Sequence, residues 1–223
     1  GCSALDHLLS GKQTIAPDEG LFLDVTWRLH PDICAFTSEL FYEGKLGAKA
    51  EAAGQRVNAK GIAHGTGLRF LPVEHSGNQN CSSEEADVIA ELVSEILAQG
   101  ATWIDREGNE KPLGIADILI IAPYNAQVFE VQRRLPQARV GTVDKFQGQE
   151  APISIYSLAS SSHADAPRGM EFLYSLNRLN VATSRAKCVT ILVGSPQVFE
   201  AECRTPRQMQ LANAFCRYLE LSS

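Results

Sequence analysis

Three nearly continuous apolar runs constrain this chain more than any other feature. They are ADILIIAP, with Ile118 to Ile121 at its centre, ISIYSLA (Ile153 to Ala159) and CVTILV (Cys188 to Val193). A strand with one wet face alternates apolar and polar residues, and these runs do not, so they read as strands covered on both faces. Helical patterns stand between them. Ser82 to Gln99 opens on a capping-box pattern of Ser82 and Glu85. It continues as an apolar stripe of Val88, Ile89, Leu92, Val93, Ile96 and Leu97, and Gly100 stops it. Residues 124–135 and Leu173 to Ala186 read as two more helices, and Pro206 to Leu219 as a closing one. Strands alternating with helices predict an α/β fold: three layers, with a mainly parallel sheet between helices.

Further elements complete the pattern. Leu21 to Val25, Leu68 to Val73 and Arg139 to Val143 read as strands. Pro31 opens a helix in which Ile33, Phe36, Leu40 and Phe41 recur at helical spacing, and Gly44 ends it. Residues 44–67 hold six glycines and a weak pattern, and read as a mobile surface segment. The 223 residues fit one domain, 1–223, behind a leading segment, 1–20. A first residue of Gly and no early Met suggest a piece excised from a longer protein. No apolar run approaches the roughly 20 residues of a membrane span, so no membrane partner is expected. Six cysteines, at 2, 34, 81, 188, 203 and 216, are too scattered for a zinc site or a disulfide framework and fit a reducing, cytoplasmic compartment. The net charge of −6, taken alone, argues against a nucleic-acid binder. The charge is uneven, however. Residues 1–112 carry 9 basic and 17 acidic residues, and residues 113–223 carry 11 and 9, so a phosphate-facing surface is expected from the second half.

In a parallel sheet the working surface lies at the carboxyl ends of the strands. APYNAQ after one strand, TVDKFQGQE after the next and NVATSRA just before the last fall there, and three motifs stand out. Trp27-Arg28-Leu29-His30-Pro31 offers a flat aromatic face and a permanently charged planar fork, with His30 reading as a structural hydrogen bonder. Gly141-Thr142-Val143-Asp144-Lys145-Phe146-Gln147-Gly148-Gln149-Glu150 brings a hydroxyl for a phosphate, a glycine that permits close approach and a carboxylate able to accept from sugar hydroxyls. Leu179-Asn180-Val181-Ala182-Thr183-Ser184-Arg185-Ala186-Lys187 is a helix of small residues ending in a cation. Each motif alone also fits a bland reading: a core Trp, a surface turn, a solvated helix end.

Their order and spacing together resemble the C-terminal motor domain of superfamily 1 helicases, in the branch that contains the nonsense-mediated-decay and Dna-two-like enzymes. WRLHP is similar to that branch's aromatic-Arg-Met-His-Pro element, with Leu29 for Met. ADILIIAPYNAQ, GTVDKFQGQE and LNVATSRAK look like its motifs IV, V and VI. The resemblance implies a RecA-like fold, a P-loop NTPase-like domain without its own P-loop. G-x-x-x-x-G-K-[ST] occurs nowhere in the chain. ATP and Mg²⁺ would be held mainly by a preceding motor domain, with this chain closing the cleft.

By the same resemblance, Arg28 and Arg185 are expected as catalytic arginine fingers. Trp27, Gln147, Gly148 and Glu150 are expected at the nucleotide, with Trp27 against adenine and Glu150 on the ribose. Tyr124, Asn125, Thr142 and Asp144 are expected along single-stranded DNA or RNA. The implied function is a domain of an ATP-dependent helicase or translocase, inactive alone, with 5′-to-3′ movement in the resembling branch. A fused nuclease is a further partner the resemblance allows. The competing reading is a nucleic-acid or protein-binding module that keeps the fold and acts without ATP. Retention of both arginines favours the motor. Ser160 to Asp165 (SSSHAD) contains the residue types of a hydrolase triad but reads as a loop.

Overall fold

The computed structural model describes residues 24–146, 148–200, 203 and 205–222. The leading segment 1–20, most of the strand expected from Leu21, and Gln147 lie outside them. The central sheet is five parallel strands: β4 (Gly67–Pro72), β7 (Ile118–Ile121), β8 (Arg139–Gly141), β9 (Ala151–Ser157) and β10 (Ala186–Gly194), in spatial order β4-β10-β9-β7-β8. The apolar runs form its middle, and every residue of β7 and β9 is buried. One side is covered by α1 (Pro31–Phe41), α4 (Met170–Leu173), α5 (Leu176–Ser184) and α6 (Pro206–Leu221), which share one core with Leu119, Tyr156 and Leu192. The other side is covered by α2 (Ser83–Ala98) and α3 (Asn125–Arg134), packed on Ile118, Ile120, Ile155 and Val189. The three-layer α/β expectation is met.

Residues 44–67 carry structure where the sequence shows little pattern. Gly47–Ala48 (β2) pairs with Val25–Thr26 (β1), and Arg56–Asn58 (β3) joins a second sheet. That sheet is antiparallel, β3-β5-β6, with β5 at Thr102–Ile104 and β6 at Glu110–Pro112. Val57 and Ala63 are fully buried in the core, so the glycines here serve short turns between ordered pieces rather than an unpatterned tract. The helix expected over Leu173 to Ala186 is two helices. Tyr174 turns its hydroxyl to the Val198 carbonyl, and Ser175 caps a new helix by accepting from Arg178 N at 3.4 Å.

The capping box at α2 is half-formed, for a physical reason. Ser82 Oγ accepts from Glu85 N at 3.1 Å, but the Glu85 side chain turns inward. Fully buried, its carboxylate accepts from Ser157 Oγ at 2.5 Å, His75 Nε2 at 2.9 Å and Ala159 N at 3.0 Å. The His75 ring is hydrogen-bonded on its other side to Ser161 Oγ, 2.7 Å from Nδ1. Ala159 has φ +66°, a left-handed conformation that costs a non-glycine residue energy, and Glu85 holds it there. Gln127 extends this buried network: it donates to Ser157 Oγ at 2.9 Å and accepts from Ser82 N at 2.7 Å. The loops leaving β4 and β9 are thereby tied together under the carboxyl ends of the sheet.

Candidate active site

The sequence WRLHP begins where β1 ends. His30 caps α1, its Nδ1 accepting from Asp32 N at 3.2 Å, while its Nε2 lies 3.2 Å from the Ala53 carbonyl. His30 N donates to the Lys187 carbonyl at 3.2 Å, which fixes this turn to the start of β10. The structural role expected of His30 is the one it has. Gln55 fastens the same turn by donating to the Arg28 carbonyl at 2.7 Å.

Arg28 projects into a cavity of about 850 Å³. Trp27, Glu150, Ser184, Arg185 and Lys187 line it as well, and so does the β5–β6 hairpin through Trp103, Asp105, Arg106 and Lys111. Arg28 Nε donates to Glu150 Oε2, and Arg28 Nη1 donates to the Ser184 carbonyl at 3.3 Å. Lys187 Nζ reaches the other oxygen of Glu150 at 2.9 Å. Burial pushes the Glu150 carboxyl up, but Lys187 and Arg28 outweigh it and hold the group below the ordinary carboxylate value. Asp105 is held far below that value by Lys111, 2.7 Å away, and by the Asn109 backbone. Most charges in the cavity are therefore already matched.

Arg185 is different. It caps the carboxyl end of α5, and its Nε is buried with no hydrogen-bond partner among the described residues. Burial, and then the charge of Arg28, push its pKa down, though a guanidinium stays protonated at neutral pH. A buried cationic donor without an acceptor is costly, and an anion entering the cavity would relieve the cost. This orphaned donor, in a cavity with four other cations, fits the phosphates of a nucleotide. Among the described residues no group of three or more acidic, His or Cys side chains is arranged to hold a metal ion.

The expected residues divide between two places. Trp27, Arg28, Glu150 and Arg185 meet at the cavity. Trp27 is 56% exposed, with Lys49 Nζ 4.5 Å above its ring, so one face of the indole is already occupied by a cation. Gly148 does not line the cavity; it takes φ +80° in an open turn where an added Cβ would meet nothing within 4 Å. Tyr124, Asn125, Thr142 and Asp144 lie apart from the cavity, at the carboxyl ends of the neighbouring strands β7 and β8, where Ala122 N donates to the Gly141 carbonyl at 3.1 Å. Asn125 and Asp144 are exposed and Thr142 is half-buried. Tyr124 is buried and packs on Phe172, ring centroids 5.1 Å apart. Lys187, Gln55 and the hairpin around Trp103 were not singled out from sequence. Lys187 sits inside the third motif, where its spacing beside Arg185 is the one signal that could have marked it. The triad residue types in 160–165 do not assemble. Ser162 Oγ bonds Asp165 at 2.6 Å, and Ser161 is committed to His75.

A family model described as an AAA domain matches residues 2–197. "Putative regulator of nonsense transcripts 1" of Takifugu rubripes is 31% identical over 201 residues, covering 81% of this chain and 17% of that protein. "Helicase sen1" of Schizosaccharomyces pombe is 28% identical over 201 residues, 81% of this chain and 11% of that protein. "DNA replication ATP-dependent helicase/nuclease JHS1" of Arabidopsis thaliana is 33% identical over 131 residues, 58% of this chain and 9% of that protein. The chain thus spans less than a fifth of the length of each of these relatives.

Proposed function

The chain belongs to this AAA-domain family, the C-terminal motor region of superfamily 1 helicases of the nonsense-mediated-decay and Sen1 type, and from that premise we propose that it completes an ATP-hydrolysing site and grips single-stranded nucleic acid. The observation that carries the reading is the buried Nε of Arg185, without a hydrogen-bond partner among the described residues, in the cavity that also holds Arg28. ATP supplies a phosphoryl group that leaves to water, with charge spread over its oxygens in the transition state. In this reading Arg185 donates to those oxygens, and such a finger is worth about 10³ to 10⁵ in rate. Arg28 adds a second fork. In the structure described it bonds Glu150, so it acts on phosphate only if that ion pair opens or is shared. Glu150, with two further lone-pair sites on its carboxylate, can accept from ribose hydroxyls, and the free face of Trp27 can stack on a base.

The phosphates and Mg²⁺ are assigned to a preceding motor domain of the same protein. Asn125, Thr142 and Asp144, with Tyr124 behind them, are assigned to the nucleic-acid side, whether DNA or RNA. Closure of the two domains over the nucleotide and their reopening would move the strand, a hinge switch. A fused nuclease, as the printed name of the Arabidopsis relative indicates for that protein, is a compatible neighbour. A reducing, cytoplasmic setting suits the cysteines at 34, 81, 188 and 216, which form no disulfide among the described residues. Among the described residues no helix is long and apolar enough to cross a membrane. A binding module working without ATP is not favoured, because it has no use for the buried Arg185 Nε left without a hydrogen-bond partner among the described residues. The test is strand-stimulated ATP hydrolysis by this chain joined to its own preceding domain. Hydrolysis indifferent to loss of Arg185 would refute the proposal.

A further inference from the structure

Arg168 and Arg178 flank the ring of Phe172, their guanidinium carbons 4.0 and 3.8 Å from its centroid. Tyr124 packs on the same ring. Arg168 is exposed in the loop before α4, and Arg178 lies half-buried in the first turn of α5. Neither has an ion-pair partner among the described residues, although the chain carries 26 acidic residues and a net charge of −6. Arg134, half-buried in the same fold, recruits the carboxylates of Asp87 and Glu130. Two cations brought together and left uncompensated are unfavourable unless something negative visits them.

We propose that Arg168 and Arg178, oriented by Phe172, form a seat for a backbone phosphate of single-stranded nucleic acid. A guanidinium lying on an aromatic face keeps its N–H edge free, and a fork held flat in this way loses little freedom when it bonds an anion. The source of the phosphate follows from position. Tyr124, which touches Phe172, stands at the carboxyl end of β7 beside Asn125, on the surface already assigned to the strand. Neither Arg168, Phe172 nor Arg178 lines the cavity of Arg28 and Arg185. Arg178 and Arg185 are separated by nearly the whole of α5, roughly 10 Å of helical rise. The seat is therefore a second anion site, distinct from the nucleotide. This inference rests on the strand-binding part of the proposed function and adds to it the residues that carry the charge.

The experiment measures binding of a short labelled oligothymidylate to the chain by fluorescence anisotropy across a salt series. Arg168→Gln and Arg178→Gln should each weaken binding by about five- to tenfold near physiological salt, and lower the slope of log affinity against log salt by about 0.7. Arg178→Lys should restore the slope and part of the affinity, since it keeps the charge and loses the planar stack. A structural role alone would shift thermal melting and leave the slope intact, so an unchanged slope in both Gln variants overturns the proposal. Titration with inorganic tripolyphosphate separates the other source: binding that disappears in the same variants would mark a free-polyphosphate site and also overturn it. If Thr142→Ala weakens strand binding while both Gln variants match wild type, the seat is wrong and the strand surface stands. If wild type binds no single strand at all, both fall.

Discussion

Arg28 Nη1 donates to the carbonyl of Ser184 at 3.3 Å, so the two arginine-bearing elements are joined one residue before Arg185. The guanidinium groups are brought together from distant parts of the sequence, and of the two only Arg28 is hydrogen-bonded to the Glu150 carboxylate, which Lys187 shares. That asymmetry separates their expected roles. Arg185 is available to an incoming anion, whereas Arg28 must first be released or shared.

Arg185→Ala, in a protein containing the preceding ATP-binding domain, should lower strand-stimulated turnover at least a hundredfold. Nucleotide affinity, measured by equilibrium titration, should change little. Near-normal turnover would remove the finger assignment.

Thr142→Ala should weaken single-strand affinity modestly, because one hydroxyl contact is lost from an otherwise intact turn. The check is anisotropy with the same labelled oligonucleotide at fixed salt. Identical affinities would place the strand elsewhere.

Glu150 links stability to pH. Its folded pKa lies below its unfolded value, so the ion pairs with Lys187 and Arg28 contribute fully above about pH 4.3, the ordinary value for a glutamate, and are lost as pH falls through the depressed folded value. Glu150→Gln should flatten that part of the acid limb in a denaturant-midpoint series from pH 6 to pH 3. The effect is small because the groups are partly exposed. Equal acid sensitivity of variant and wild type would count against the pairing.

Glu85→Leu should cost roughly 3 to 5 kcal/mol in chemical denaturation, since His75, Ser157 and the strained Ala159 amide all lose their acceptor. A loss below about 1 kcal/mol would mean that the network relaxes around the change.

Gly194→Ala tests the packing of the sheet's end. An added Cβ would stand 2.8 Å from Leu158 Cδ1 and 3.2 Å from Leu158 Cβ, inside the core. Overpacking of this kind costs about 1 to 3 kcal/mol, seen as a lowered unfolding midpoint. An unchanged midpoint would show that Leu158 can move aside.

The central sheet was legible because β7, β9 and β10 are apolar on both faces, a pattern that few other structures produce. The β3-β5-β6 sheet was not, because its strands are three residues long and β6, Glu110–Pro112, is wholly exposed. Periodicity needs more residues than that to register. The helix break at Tyr174 was hidden for another reason: it depends on a hydroxyl reaching Val198, a contact between chain segments that no local pattern encodes. In the site, residue types announced Arg28 and Arg185, yet the acceptor of Arg28 lies 122 positions away and could not be assigned from either motif alone. The inward turn of Glu85 was invisible in the same way, since a capping-box sequence looks identical whether its glutamate caps or is buried.

Helix α5 is nine residues long, a strut of about 13 Å. It is too short to curve appreciably, since helices bend over radii of about 60 to 100 Å. With Arg178 at its head and Arg185 at its foot, any tilt imposed at one end is delivered to the other undiminished. With the two arginines in their proposed roles, a tug on a threaded polymer and the stroke that spends the fuel would share this single rigid part, and neither could be altered without being felt by its counterpart.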